Sequence, residues 1–132
     1  MKVLIDACVL YPTVLREIVL GLARAEAFVP VWSERILEEW RRAAARHGDG
    51  AIAEAEIASV RALFPDAVAD PAPDIEARLI LPDPDDVHVL AAAVQAGCDE
   101  LLTLNLKDFP TRVVGREALL LFPSYLFVWR GF

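Results

Sequence analysis

The chain has 132 residues, the size of one ordinary domain with a single sizeable core, and one domain over residues 1–132 is expected. A hydrophobic fraction of 56% excludes a disordered chain. The longer apolar runs, such as 89–94 and 118–122, fall short of the roughly eighteen residues that would span a bilayer. With no secretory signal pattern at residues 1–6, a cytoplasmic protein without a membrane partner is expected. Net charge is −7, from 20 acidic and 13 basic residues, which disfavours adhesion to nucleic acid through the average surface. Local groups of carboxylates or arginines escape that argument, and eleven of the thirteen basic residues are Arg.

Residues 2–5 form a short apolar run ending at Asp6, as a central parallel strand buried on both faces would. Pro12 then opens a helix to about Ala25, with Val14, Leu15, Ile18, Val19 and Leu22 at helical spacing. A second strand is expected over 27–31, and Ser33 is placed to cap a helix reaching Arg46. A third helix spans about 51–64, and Pro65, Pro71 and Pro73 mark an irregular connection. Residues 79–81 make a short strand candidate. A helix over about 85–96 closes at Gly97, a buried strand over 101–104 ends at Asn105, and a last strand is expected at 119–122 before an aromatic tail of Tyr125, Phe127, Trp129 and Phe132. Strands alternating with helices predict an α/β fold, an open, mostly parallel sheet with helices on both faces. Ligands of such sheets bind outside the carboxyl ends of the strands, where strand order reverses, so Asp6 and Asn105 become site candidates.

The helical wheel sorts the other acids. At about 100° per residue, Ile36, Leu37, Trp40, Ala43 and Ala44 share an apolar face that Glu39 flanks. Glu38 points to solvent in a row with Glu34 and Arg42. In the 85–96 helix, Asp86 falls on the side of Val87, Leu90, Ala93 and Val94, while Asp85 points away. Capping explains first-turn acids in general, but not one on the apolar side, where a charge needs a partner or a metal. The same wheel puts His88 at the back of its helix, as a packing or supporting residue. Asp108 lies just beyond the strand that Thr103 and Asn105 terminate; turn formation is the plain alternative there, and an exposed ion pair is the alternative for Glu39. Oxygen donors from these four places would converge on one pocket, select a hard cation such as Mg2+ or Mn2+, and suit phosphodiester hydrolysis. Cys8 and Cys98 form no CxxC pair and are expected as reduced thiols. Trp32, Trp40 and Trp129 are expected in the core. No nucleophilic triad or phosphate loop is present.

These residues resemble the PIN-domain ribonucleases, more narrowly the VapC-like toxins of toxin–antitoxin pairs. The resemblance is carried by Val3-Leu4-Ile5-Asp6-Ala7-Cys8, by Ser33-Glu34-Arg35-Ile36-Leu37-Glu38-Glu39-Trp40, and by Asp83-Pro84-Asp85-Asp86-Val87-His88 with Leu102-Thr103-Leu104-Asn105-Leu106-Lys107-Asp108-Phe109-Pro110. It implies that Asp6, Glu39 and Asp86 take the metal-binding acidic places. Asn105 stands where many members carry a fourth aspartate, so either Asn105 ligates through its amide oxygen or Asp108 serves instead. It further implies a Mg2+- or Mn2+-dependent endoribonuclease acting on RNA, a homodimer, held inactive by a small antitoxin protein. Thr103, Asn105, Arg41 and Arg112 are expected at the substrate, with Arg46 and Arg116 as further phosphate contacts. The rival reading is a PIN-like binding module that has lost turnover through Asn105. An acidic-pocket phosphatase or receiver fold fits worse, because Cys8 stands where the former needs a second aspartate and neither Lys2 nor Lys107 suits the latter.

Overall fold

The computed structural model describes residues 1–123 and Phe127. Its core is a four-stranded, all-parallel sheet, β1 (Lys2–Ile5), β2 (Val29–Val31), β3 (Glu100–Thr103) and β4 (Leu120–Pro123), in the order β2-β1-β3-β4. Val3 pairs with Pro30 on one side of β1 and with Glu100 on the other, and Leu101 of β3 pairs with Leu121 of β4. The chain moves outward from β1 to β2 and then crosses back to β3, so strand order reverses between β1 and β3. Val3, Leu4 and Ile5 of β1 and all four residues of β3 are buried whichever way they point. Both faces of the central pair are therefore covered, the condition that parallel strands require. The Leu79–Leu81 segment is not a strand. Leu79 and Leu81 are buried and Ile80 is exposed, an alternation that packs two side chains onto the core without any ladder.

Among the described residues seven helices surround the sheet: α1 (Ala7–Leu10), α2 (Thr13–Arg24), α3 (Glu34–Arg46), α4 (Gly50–Leu63), α5 (Pro73–Arg78), α6 (Val87–Gln95) and α7 (Thr111–Arg116). The helix expected over 85–96 begins instead as a 3-10 turn, Pro84–Asp86, that feeds α6. The strand ending at 104 stops at Thr103, and the short helices α1, α5 and α7 carry too little periodic pattern to be read from sequence. Ser33 caps α3, its hydroxyl accepting the Ile36 N–H at 3.1 Å, and Ile36, Leu37, Trp40 and Ala44 form the buried stripe.

Two helices pack differently from their wheels. The buried side of α2 is Arg16, Val19, Leu20 and Ala23, while Val14 and Ile18 are exposed. Arg16 is the reason: its guanidinium donates to the carbonyls of Leu10 (2.8 Å) and Tyr11 (2.9 Å) and lies over the Trp40 ring. It thereby tethers the end of α1, and a charge in such a place is stable because its donors are used. Along residues 88–93 helix α6 has no solvent-facing back. His88 and every residue from Val89 to Ala93 are buried, because α6 packs on β1, β3 and α5 together, as a helix apolar on all sides must. The back of the helix, where the wheel puts His88, is thus buried, which agrees with the packing or supporting role expected of it. Trp32 and Trp40 are core residues, and Phe127 packs edge-on against Phe28; Tyr125, Trp129 and Phe132 lie outside the described residues. Leu101 is fully buried in the centre of the sheet. Leu101→Ala is expected to lower the unfolding free energy by about 2–5 kcal/mol, whereas Ser33→Ala should cost about 1 kcal/mol, both read from urea denaturation midpoints.

Candidate active site at the strand ends

Asp6 follows β1 directly, and its N–H donates to Leu102 O at 3.0 Å, carrying the sheet pairing one residue beyond the strand. The chain then turns into α1, and Asp6 Oδ1 accepts the Ala7 N–H at 2.8 Å. Oδ2 accepts the Thr103 hydroxyl at 2.9 Å from the end of β3. The bond thus spans the two strand ends between which strand order reverses, where an open α/β sheet places its ligands. Asp6 is only 4% exposed. Burial raises its pKa above the usual carboxylate range and the charge of Glu39 adds to that, while the Thr103 and Ala7 bonds pull the other way.

Thr103 is itself fully buried. Its hydroxyl is spent on Asp6 and accepts the Asn105 N–H at 3.0 Å, so Thr103 positions the carboxylate and is not open to substrate. Cys8, expected as a reduced thiol, is free and is part of the same constellation. Its Sγ lies 3.5 Å from both Asp6 Oδ2 and Thr103 Oγ1 and accepts the Leu104 N–H at 3.3 Å. Burial, and then the Asp6 charge, push the thiol up to about 11, so it stays protonated at neutral pH. Its sequence position two residues beyond a strand-end aspartate was the available signal.

Asp86 ends the 3-10 turn that starts α6. It is partly buried, and its Oδ2 is shielded from solvent without a hydrogen-bond partner among the described residues. Burial, followed by the charges of Asp83, Asp6, Asp108 and Glu39, pushes Asp86 up to about 6. Charges from β1, α3, the α6 turn and the turn after β3 therefore act on one carboxyl group. Glu39 projects from α3 and meets the buried ring of His88, whose Nε2 lies in ion-pair contact with Glu39 Oε1, off the line that a hydrogen bond needs. Asp108 is partly buried at the end of the 3-10 turn Leu106–Asp108. Asn105 is exposed, and its side chain makes no capping bond there.

The oxygens suit a hard cation in kind, and the orphaned Asp86 Oδ2 is the sort of atom an ion would satisfy. No group of three or more His, Cys, Asp or Glu among the described residues stands close enough to hold an ion.

A groove of about 1040 Å³ lies beside these acids, walled by Cys8, Glu39, Asp85 and Asp86 and by the length of α3. Arg35, Arg41, Arg42 and Arg46 line it together with Glu34 and Glu38. Arg41 is already bonded to Glu54 and Glu38, Arg42 to Glu38 at 3.2 Å, and Arg35 lies 3.7 Å from Glu76. Arg46 has no carboxylate partner among the described residues. Glu38 is thus pinned by two arginines of its own helix, and Glu34 pairs with Arg61 of α4 at 2.6 Å. Arg112 and Arg116 lie on α7 and are not among the residues that wall the groove.

Asp86 titrates near 3.8 when unperturbed and near 6 in the fold, so the native state holds its proton more tightly than the unfolded one. Without a divalent ion, stability should therefore fall as pH rises from about 4 to about 6 and stay lowered above that. In EDTA, Asp86→Asn is expected to stabilise the protein at pH 7 by on the order of 1 kcal/mol, a figure reduced for solvent screening of a partly exposed group. The gain should vanish at pH 4; urea denaturation at the two pH values measures it, and destabilisation at pH 7 would contradict the assignment.

The model of the PIN domain family matches residues 2–107, a stretch that contains β1, α3, α6 and β3, although it ends one residue before Asp108. No curated protein matches the chain. PIN domains are in general nucleases that work with divalent metal ions. With the family's model covering most of its length and acids gathered at the strand ends of a parallel sheet, the chain belongs to the PIN-domain family.

Proposed function

We propose that this protein is a Mg2+- or Mn2+-dependent endoribonuclease, the toxin of a toxin–antitoxin pair. The observation that carries the reading is the acidic end of the groove: Glu39 and Asp86, remote in sequence, wall it together with arginines, Asp86 Oδ2 is shielded without a hydrogen-bond partner among the described residues, and burial followed by the charges of Asp83, Asp6, Asp108 and Glu39 pushes Asp86 up. Like charges gathered in partial burial are costly unless a cation offsets them. Asp6, Glu39 and Asp86 are the residues that would hold the ion. For the fourth place we favour Asp108, whose charge reaches Asp86, over the exposed and uncharged Asn105. The bound ion would supply charge for a phosphodiester oxygen and a more acidic water as nucleophile.

The chain's own residues divide the remaining work. Thr103 and the Ala7 N–H keep Asp6 oriented in a buried place. Arg46, with its fork unspent, is the arginine of the groove best suited to an RNA phosphate; Arg41 can join only by giving up Glu38 or Glu54. The resemblance of the opening strand and of the 83–110 stretch to VapC-like toxins supports a cytoplasmic homodimer whose groove a small antitoxin covers.

RNA cleavage should appear on adding Mn2+ and disappear with EDTA. Asp6→Asn and Asp86→Ala should each reduce it at least about 100-fold, as expected when a group that stabilises developing charge is removed, with circular dichroism unchanged. Equal cleavage by wild type and Asp6→Asn would refute the reading. The absence of charge at Asn105 favours one alternative, a PIN-like binding module without turnover. That alternative predicts no cleavage by the wild type with Mn2+ and no Mn2+ heat in calorimetry.

A further inference from the structure

The geometry points to His88 as the positioning residue that holds Glu39 in the acidic site; the inference rests on the nuclease reading above. Glu39 is a flexible side chain on a partly exposed helix face, and fixing such a chain costs rotamer entropy that a partner must offset. Its immediate neighbour Glu38 shows what happens without a buried partner, being drawn along the helix surface by Arg41 and Arg42. Glu39 takes neither arginine. Its partner among the described residues is His88.

His88 is mounted firmly for this task. It is 6% exposed, lies in the first turn of α6, and is followed by Val89, Leu90, Ala91, Ala92 and Ala93, all buried. A residue there for packing alone would be apolar like those that follow it. Burying two ring nitrogens carries a desolvation cost, and neither has a hydrogen-bond partner among the described residues, so the electrostatic contact of Nε2 with Glu39 Oε1 is what the imidazole contributes. A carboxylate at Nε2 is served by an N–H on that nitrogen.

Placement explains the consequence. His88 stands two residues beyond Asp86, on a helix packed against both β1 and β3; Asp6 follows the first directly and Thr103 ends the second. Glu39 belongs to α3, which packs on α1 and α4. The His88 contact therefore ties the acid of α3 to the body that carries the other acids, and the Glu39 charge is felt at both Asp6 and Asp86.

The test is a double-mutant cycle read by Mn2+ calorimetry and by RNA cleavage. His88→Leu keeps the bulk and loses the donor; it is expected to weaken Mn2+ about tenfold, as loss of a group that orients a metal ligand does. His88→Gln, whose amide can donate, should stay within about threefold of wild type. In a Glu39→Gln background His88→Leu should have no further effect. An equal loss in both backgrounds, or no loss in either, overturns the proposal, since a packing role would act regardless of Glu39. Should His88→Leu not fold, ring 1H–15N correlation spectra of the metal-free protein decide. The wild type should show the Nε2–H tautomer and Glu39→Ala a mixture; an unchanged tautomer overturns the proposal. A wild type that neither binds Mn2+ nor cleaves RNA sinks the nuclease reading instead, and the ring spectra still report whether Glu39 holds the imidazole.

Discussion

The hydrogen bond from the Thr103 hydroxyl to Asp6 Oδ2, 2.9 Å across the ends of two adjacent parallel strands, is the interaction on which the arrangement of the site rests. Parallel pairing brings residues 97 positions apart to the same rim, and the reversal of strand order opens the sheet there. A carboxylate at that rim is nearly buried, and burial works against its charge. The Thr103 hydroxyl and the Ala7 N–H work in the other direction, so Asp6 has one fixed orientation. Cys8 closes the remaining side with a thiol that burial keeps protonated, a weak donor that adds no charge of its own.

The second constraint is repulsion. Each further acid brought to the rim raises the cost of those already there, as the burdened Asp86 shows. The fold distributes these acids over four separate elements and does not draw three of them onto a common point. Elements that bear such charges need rigid supports, and the molecule supplies several. Arg16 ties the end of α1 through two carbonyls and rests on Trp40 of α3, and the buried face of α6 holds Asp86 and His88 against the central strands. The arginines of α3 serve the opposite purpose, neutralising Glu38 at the groove wall so that the net negative charge beside Asp6 and Asp86 is smaller than the residue count suggests.

Much of this was legible in the chain. A four-residue apolar run ending in aspartate identified β1 and Asp6, and the 3.6-residue period separated the partly buried Asp86 from the exposed Asp85, whereas Glu38 and Glu39 are equally exposed and differ only in their partners. The Ser33 cap and the start of α3 followed from capping chemistry alone. The departures have separate causes. Helix α6 is buried on every side along residues 88–93, so the wheel's back position for His88 is not a wet one, and α2 buries Arg16 in place of Val14 and Ile18 because its donors reach carbonyls of the preceding turn. The Leu79–Leu81 alternation resembled a strand because burial of every second side chain does not require a ladder.

By itself, then, the amino-acid sequence determined the class of fold, the order of the main elements and which acids flank the core, since these depend on local periodicity and on short-range rules of capping and turn formation. The tertiary structure alone decided which groups meet. That Thr103 serves Asp6 and is closed to substrate, that Cys8 joins them, that Asp108 is felt at Asp86 while Asn105 faces solvent, that Arg41 is consumed by Glu54 and Glu38, and that His88 reaches Glu39 all depend on distances between elements far apart in the chain. Such distances are set by packing of whole helices on the sheet, a property that no window of neighbouring residues contains.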